Sequence, residues 1–304
     1  MELCASCMCC LMNRQEERVR DLGTQNERND FLRRVARIIG ESAQEDSAPV
    51  LVERINGEYT RLFGPVTDYD GIKKEFNDLM LSLEPQIRKK LAEKGDRLHA
   101  AMLYARAANY IDFGMAGRVE RETLFALLER AADETLEEET WQAFLESLAE
   151  AKSLVYVTDN CGEVVCDRIA AQELTERFPD LSITFLVRGR AALNDATRED
   201  ALQAGVEGVA AIADNGCGVA GTPLAFISED ARGLLERADV ILAKGQGNFE
   251  TMHGCGLPIY YSFLCKCDWF TRRFGMEKNR GVFIREDRVA SRLRDEKMAR
   301  AGAD

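Results

Sequence analysis

The chain has 304 residues, 46% of them hydrophobic and 30% charged, with a formal charge of -12 and a pI near 4.9. That is apolar material for one large core or two modest ones and argues against global disorder, while the acidic balance argues against nucleic acid, whose binders carry a basic face. No apolar run approaches the roughly 18 residues that span a bilayer, and MELCASCMCCLM lacks the basic region and cleavage site of a secretory signal, so the expectation is a cytoplasmic protein with no membrane partner and mostly reduced cysteines.

The N-terminus opens on Cys4, Cys7, Cys9 and Cys10. The C-x2-C-x2-C run over Cys4, Cys7 and Cys10 has the spacing of a soft-metal site, with reduced cysteines packed along a helix as the equal alternative. From Arg14 to Ala151 apolar residues recur every three to four positions: Phe31, Val35, Ile38 and Ile39, then Ile87, Leu91, Leu98, Met102 and Leu103, then Trp141, Phe144, Leu145 and Leu148. This is the helical period. Turn chemistry at Gly64-Pro65, Gly95-Asp96 and Gly114 separates the helices. Thr135, with Glu138 three residues on, has the capping-box pattern for the helix containing Trp141, and Thr140 is the other candidate cap. Residues 1–150 thus read as an all-helical unit.

The pattern changes at Lys152. Ser153–Val157, Ile183–Val187, Val209–Ile212, Val240–Ala243, Ile259–Phe263 and Gly281–Ile284 read as strands, separated by helical stretches that include Glu163–Arg177, Ser228–Ala238 and a short helix after Asn248. Strands apolar on both faces, alternating with helices, predict for residues 151–304 a doubly wound, mostly parallel sheet, Rossmann-like and three-layered. Ligands of such sheets sit beyond the carboxyl ends of the strands, so the strand tips are where chemistry is sought.

The first tip is Asp159-Asn160-Cys161-Gly162-Glu163, an acid and an amide whose oxygens suit hard cations and which would equally cap the following helix. After the second strand come Arg188 and Arg190, then Asn194-Asp195-Ala196-Thr197, a potential phosphate clamp and a second carboxylate. The third tip, Asp214-Asn215-Gly216, is a glycine-rich approach to an anion or a plain turn. The fourth, Lys244-Gly245-Gln246-Gly247-Asn248-Phe249-Glu250, sets a compact cation beside two glycines that clear room for a ligand. With a global charge of -12, an anionic ligand requires such local cations or a metal. No Walker motif is present. Of the two histidines, His99 and His253, His253 could serve as acid or base, or as a surface or capping residue.

These segments resemble the metal-dependent damage-control phosphatase family, also catalogued as domain of unknown function 89 and as carboxyl-methyltransferase-like. Asp159 to Glu163 matches its Asp-Asn-x-Gly-Glu signature, Asn194 to Thr197 its second acidic segment, and the Asp214 and Lys244 segments its third and fourth. Cys4, Cys7 and Cys10 with Leu11 to Gln15, and Ala108 to Gly114, resemble its stand-alone microbial branch, while Asp68-Tyr69-Asp70 stands where that pattern has Asp-Pro and an aromatic. The resemblance implies one divalent ion, Mn2+, Mg2+, Co2+ or Ni2+, on Asp159, Asn160 and Asp195. Their separation, 195 − 159 = 36 residues, suits one βαβ step. It implies hydrolysis of phosphate monoesters of small metabolites, such as sugar or nucleotide phosphates. Lys244 is the expected phosphate grip, with Arg188, Asn194, Asp214, Gly216, Gly245, Asn248 and Glu250 around the substrate and the helical half as a cap over the tips. The alternatives are an S-adenosylmethionine-dependent carboxyl methyltransferase, disfavoured by an Asp-Asn rather than glycine-rich first loop, and a non-catalytic metal or metabolite binder. The substrate's identity and the oligomeric state are not legible.

Overall fold

The computed structural model describes residues 3–43, 45–65, 69–110, 121–274, 278 and 280–289. Asp68, Gly114 and positions 111–114 of the helical signature lie outside them. In chain order α1 (Ala5–Val19), α2 (Gln25–Gly40), α3 (Ala48–Phe63), α4 (Asp70–Ala92), α5 (Arg97–Ala107), α6 (Arg121–Ala132) and α7 (Glu138–Glu150) precede the alternating half. That half runs β1 (Ser153–Val157), α8 (Glu163–Arg177), β2 (Ser182–Val187), α9 (Arg198–Gln203), β3 (Ala211–Asp214), α10 (Glu229–Glu236), β4 (Val240–Lys244), α11 (Gln246–Met252), β5 (Ile259–Leu264), α12 (Asp268–Phe274) and β6 (Gly281–Arg285).

The helices form where spacing and caps agree. In α2, Phe31, Val35 and Ile39 are buried along one face, and Thr24 and Glu27 close a capping box. The cap of α7 is neither Thr135 nor Thr140 but Glu137. Its carboxylate accepts the Thr140 N–H at 2.8 Å, and the Thr140 hydroxyl donates to the same group. The longer glutamate side chain reaches the third helical N–H, and Thr140 is already inside the first turn.

The sheet order is β3-β2-β1-β4-β5-β6, with the first five strands parallel and β6 antiparallel to β5. Side chains alternate across it. Leu154 and Tyr156 of β1, and Val240 and Leu242 of β4, face one core, while Val155, Val157, Ile241 and Ala243 face the other. The third strand begins two residues later than Val209–Ile212. Val209 instead closes a 3-10 turn over Val206–Gly208. β3 is an edge strand whose residues are all at least partly exposed, so apolarity does not mark its bounds.

Three layers result. One continuous core joins Leu98, Met102, Trp141 and Phe144 to Leu154, Tyr156, Val165, Ile169 and Leu242, so helices α4–α7 pack on the α8 side of the sheet and the core is continuous across residue 150. The opposite face is covered by Leu235 of α10, Phe249 and Met252 of α11 and Phe270 of α12. The α1–α3 segment buries Leu11, Val19, Phe31, Val35, Leu51 and Ile55 in a smaller core. Among the described residues no helix is long and apolar enough to cross a membrane.

The strand order reverses direction between β1 and β4, so their carboxyl ends flank the switch-point crevice. The helical half reaches this point. Asn77 of α4 accepts the Gly162 N–H at 2.6 Å, satisfying one of the free N–H groups where α8 begins. Asn109, in a 3-10 turn after α5, reaches it from above.

Candidate active site

The first two strand tips are knitted together through their backbones. Asn160 and Asp195 form an isolated antiparallel bridge, Ala196 donates its N–H to the Asp159 carbonyl at 2.8 Å, and Cys161 donates to the Asn194 carbonyl at 2.9 Å. Segments 36 residues apart thus become neighbours through main-chain bonds, without reliance on side-chain packing. Two amides then bridge two carboxylates. The Asn109 side-chain N–H groups reach Asp159 Oδ2 at 2.8 Å and Glu163 Oε1 at 2.6 Å, and those of Asn160 reach the same atoms at 2.9 Å and 2.6 Å. With its N–H groups turned to carboxylates, the remaining polar atom of Asn160 is its oxygen, a donor suited to a hard cation.

Beneath this layer lie buried cations. Arg188, 1% exposed, donates to Asp195 Oδ2 at 2.6 Å, to the Thr222 hydroxyl at 3.1 Å and to the Asn248 oxygen at 3.1 Å. Lys244, 0% exposed, donates to the Ala105 carbonyl at 2.7 Å and Asp167 at 3.0 Å, and pairs with Glu163 at 3.6 Å. The expected phosphate grip is therefore buried and already engaged by these partners. The reason is register: Lys244 continues the alternation of Val240 and Leu242, which faces α5 and α8. Asn248 ties tip to tip, donating to the Thr158 carbonyl at 2.8 Å and the Lys244 carbonyl at 2.6 Å.

Within the cluster that these bonds join, the charges do not balance. Asp159, Glu163, Asp167 and Asp195 are buried carboxylates, against the cations of Arg188 and Lys244. Four negative and two positive charges leave a formal charge of -2. Burial pushes Asp159 well above the usual carboxylate range, with Glu163 and Asp195 adding to the effect. Burial likewise raises Asp195 to about 6 against the pull of Arg188, and Asp167 to about 6 against that of Lys244. Glu163 Oε2 is buried with no hydrogen-bond partner among the described residues.

Gly245 admits the Asp159 carboxylate. Its φ is +81°, and a Cβ at this position would overlap that carboxylate. Gly245→Ala is expected to destabilise the fold by about 2 kcal/mol or more, from the left-handed backbone and the overlap together. Urea unfolding followed by circular dichroism measures it, and a midpoint equal to wild type would show that the close approach is not required.

The other expected site residues divide. Asn194 is half-buried beside Asp195, with its carbonyl bonded to Cys161. Asp214 is exposed, accepts the Gly216 N–H at 3.1 Å and lies 3.7 Å from Arg198. The inward residue is Asn215, whose oxygen accepts the N–H groups of Gly189 and Cys217 at 3.0 and 3.1 Å. The Gly245 N–H is bonded to the Ser262 carbonyl at 3.0 Å, so neither Gly216 nor Gly245 offers its own N–H to an anion here. Glu250 is buried and accepts from Gln246 at 2.6 Å. His253 stacks on Phe249 and bonds its carbonyl through Nδ1 at 3.0 Å, a local role on α11. Cys4 and Cys7 adjoin at the start of α1, whereas Cys9 and Cys10 are exposed.

Several neighbours were not singled out from sequence. Glu163 and Asp167 are four residues apart on α8, a spacing that stacks both on one helix face. Lys266, exposed just beyond β5, is near enough to Asp159 to stabilise its charged form. A cleft of about 570 Å3 runs between α3, with Val52, Glu53, Asn56 and Thr60, and the tip loops at Ala191, Leu193 and Gly218. Leu193, held at φ +50°, stands directly before Asn194-Asp195 in its wall.

Residues 3–282 match the family model described as the damage-control phosphatase ARMT1-like domain. A protein of Archaeoglobus fulgidus named damage-control phosphatase is 31% identical over 229 residues, 74% of this chain and 78% of its own. Another so named, from Pyrococcus horikoshii, is 27% identical over 94% of this chain and 98% of its own. The crystal structure of a DUF89 family protein from Pyrococcus horikoshii superposes with a TM-score of 0.81 at 25% identity, covering 94% of this chain and 99% of that one.

Proposed function

The chain belongs to the damage-control phosphatase ARMT1-like family, and from that premise we propose that it is a metal-dependent phosphatase acting on phosphate monoesters of small metabolites, sugar or nucleotide phosphates among them. Asp159, Asn160 and Asp195 would hold one divalent cation, Mn2+, Mg2+, Co2+ or Ni2+. The observation that carries this reading is the formal charge of -2 in the cluster of Asp159, Glu163, Asp167 and Asp195 with Arg188 and Lys244, an imbalance that one divalent ion cancels. Two carboxylate ligands and an amide oxygen are the donors such ions take. Among the described residues no three His, Cys, Asp or Glu side chains are grouped to hold a metal, which a site of two carboxylates and one amide does not require.

When bound, the ion supplies Lewis-acid polarisation of a phosphoryl oxygen. The chain's own residues do the positioning. Asn109 and Asn160 fix the Asp159 and Glu163 carboxylates, Arg188 fixes Asp195, and Lys244 balances Glu163 and Asp167 from below. Of the groups assigned to the substrate, Asn194 is half-buried beside Asp195, whereas Arg188 and Asn248 are engaged in holding the tips. Lys266, an exposed cation whose charge acts on Asp159, takes the phosphate-gripping role in this reading. The cleft beside α3 would take the rest of the metabolite.

Phosphate release from a panel of phosphorylated metabolites should appear with Mn2+, Mg2+, Co2+ or Ni2+ and vanish in excess chelator. Full turnover under chelation would overturn the metal dependence, and absence of hydrolysis across the panel with every ion would overturn the activity itself.

A further inference from the structure

The thiols at the start of α1 form a nucleophile cluster that the proposed reaction does not use. Cys4 is the N-cap of α1, and its sulfur accepts the Cys7 N–H at 3.4 Å. The two sulfurs lie 3.3 Å apart. Both residues are half-buried, while Cys9 and Cys10 are exposed. Two sulfurs on one tetrahedral zinc, each about 2.3 Å from it, stand roughly 3.8 Å apart, and among the described residues no third ligand joins this pair.

We propose that Cys4 and Cys7 form a reversible intramolecular disulfide, with a small-molecule disulfide of the glutathione type as oxidant. Bond formation needs the sulfurs to close from 3.3 Å to about 2.05 Å. Cys4 has extended backbone outside the helix, so rotation of its side chain brings them together while α1 stays intact. The order of events follows from the surroundings. The Cys4 sulfur stands outside the helix and accepts a backbone N–H there, so it is the one placed to meet the oxidant first. Burial pushes the Cys7 thiol up to about 12, which keeps it protonated while Cys4 makes the first attack. The Cys4 thiolate attacks the oxidant's S–S bond, forming a mixed disulfide and expelling one small thiolate. Cys7 then attacks the Cys4 sulfur, giving up its proton and expelling the second. Two protein thiols and one oxidant disulfide become one protein disulfide and two small thiols, a two-electron exchange.

The test is to equilibrate the full chain across graded ratios of oxidised to reduced glutathione, quench with acid, alkylate, and map by mass spectrometry. Alkylatable thiols should fall by two from the ten present, map to Cys4–Cys7, follow a two-electron curve and return fully with dithiothreitol. Cys7→Ser should accumulate the glutathione adduct on Cys4. Cys4→Ser should abolish the bond with α1 retained, since serine is a favoured N-cap. Cys9→Ser and Cys10→Ser should leave it unchanged. A bond mapping to Cys9 or Cys10, no loss of thiols in a hundredfold excess of oxidised glutathione, or stoichiometric zinc protecting both thiols would each overturn the proposal.

Discussion

Asp159→Asn should lower kcat by a thousandfold or more, about 4 kcal/mol of transition-state stabilisation, while the metal-free protein melts no lower than wild type. The two effects share a cause. Asp159 sits among Glu163 and Asp195 with its carboxylate driven well above its usual range by burial and by those neighbours. A carboxylate gathered with others at the cost of repulsion is worth keeping for what it binds, and its removal relieves crowding in the empty site. Asparagine preserves the shape and still offers an oxygen to the N–H groups of Asn109 and Asn160, so the tips should stay assembled. It removes the negative charge, and with it most of the attraction for a divalent ion. The measurements are steady-state phosphate release with saturating Mn2+ and a melting curve in chelator. Turnover within tenfold of wild type would remove Asp159 from the reaction. A metal-free melting temperature more than about 5 °C lower, the equivalent of about 1 kcal/mol or more, would show that its role is architectural.

Lys244→Met should behave in the opposite way, losing about 3–5 kcal/mol of stability, the scale for stranding one side of a buried ion pair. Its ammonium is fully buried between Asp167 at 3.0 Å and Glu163 at 3.6 Å, and also holds the Ala105 carbonyl of α5. Burial pulls the Lys244 pKa down, but Asp167 and Glu163 together outweigh it, so the net displacement is upward. A raised lysine contributes its stability in full below its unfolded pKa and loses it only at strongly alkaline pH, so at neutral pH the whole contribution is at stake. The gap between variant and wild type should narrow as pH falls toward about 6 and level off below it, because the unpaired Asp167 of the variant takes up its proton at higher pH than the paired one, which does so near 6. Lys266→Met should do the reverse. Exposed beyond β5, it should leave stability nearly unchanged and lower kcat/KM by roughly 10- to 150-fold, the value of one hydrogen bond to a charged group. Denaturant midpoints at several pH values, set beside kcat/KM for both variants, separate the roles. A stable, slow Lys244→Met together with an unstable, fast Lys266→Met would interchange them.

The strands and the Asp-Asn tip were legible because parallel strands covered on both faces read as short apolar runs, and such runs point to their own carboxyl ends. The edge strand β3 was displaced because partly exposed positions carry little apolar signal. At the β3 tip the sequence points to Asp214, which is exposed, while the buried residue is Asn215, since a turn signal does not say which of two adjacent polar side chains turns inward. Lys244 carried its direction in its sequence position, in step with Val240 and Leu242, but its place at a tip outweighed that alternation. Glu163 and Asp167 were legible as a four-residue repeat on a helix that is buried along most of its length. Asn109 was not assignable, because contact between a 3-10 turn and a strand 50 residues later depends on how α5 packs on α8.

The two walls of the cleft beside the tips answer to different constraints. One is the Ala191–Leu193 loop, bound into the strand tips. The other is α3, whose Leu51 and Ile55 turn into a core shared with α1 and α2 while Val52, Asn56 and Thr60 line the opening. Substitutions on that lining leave the hydrogen bonds among Asp159, Asn160 and Asp195 untouched. If the cleft takes the rest of the metabolite as proposed, a few substitutions on α3 would change what is accepted while the floor of the crevice keeps its bonds.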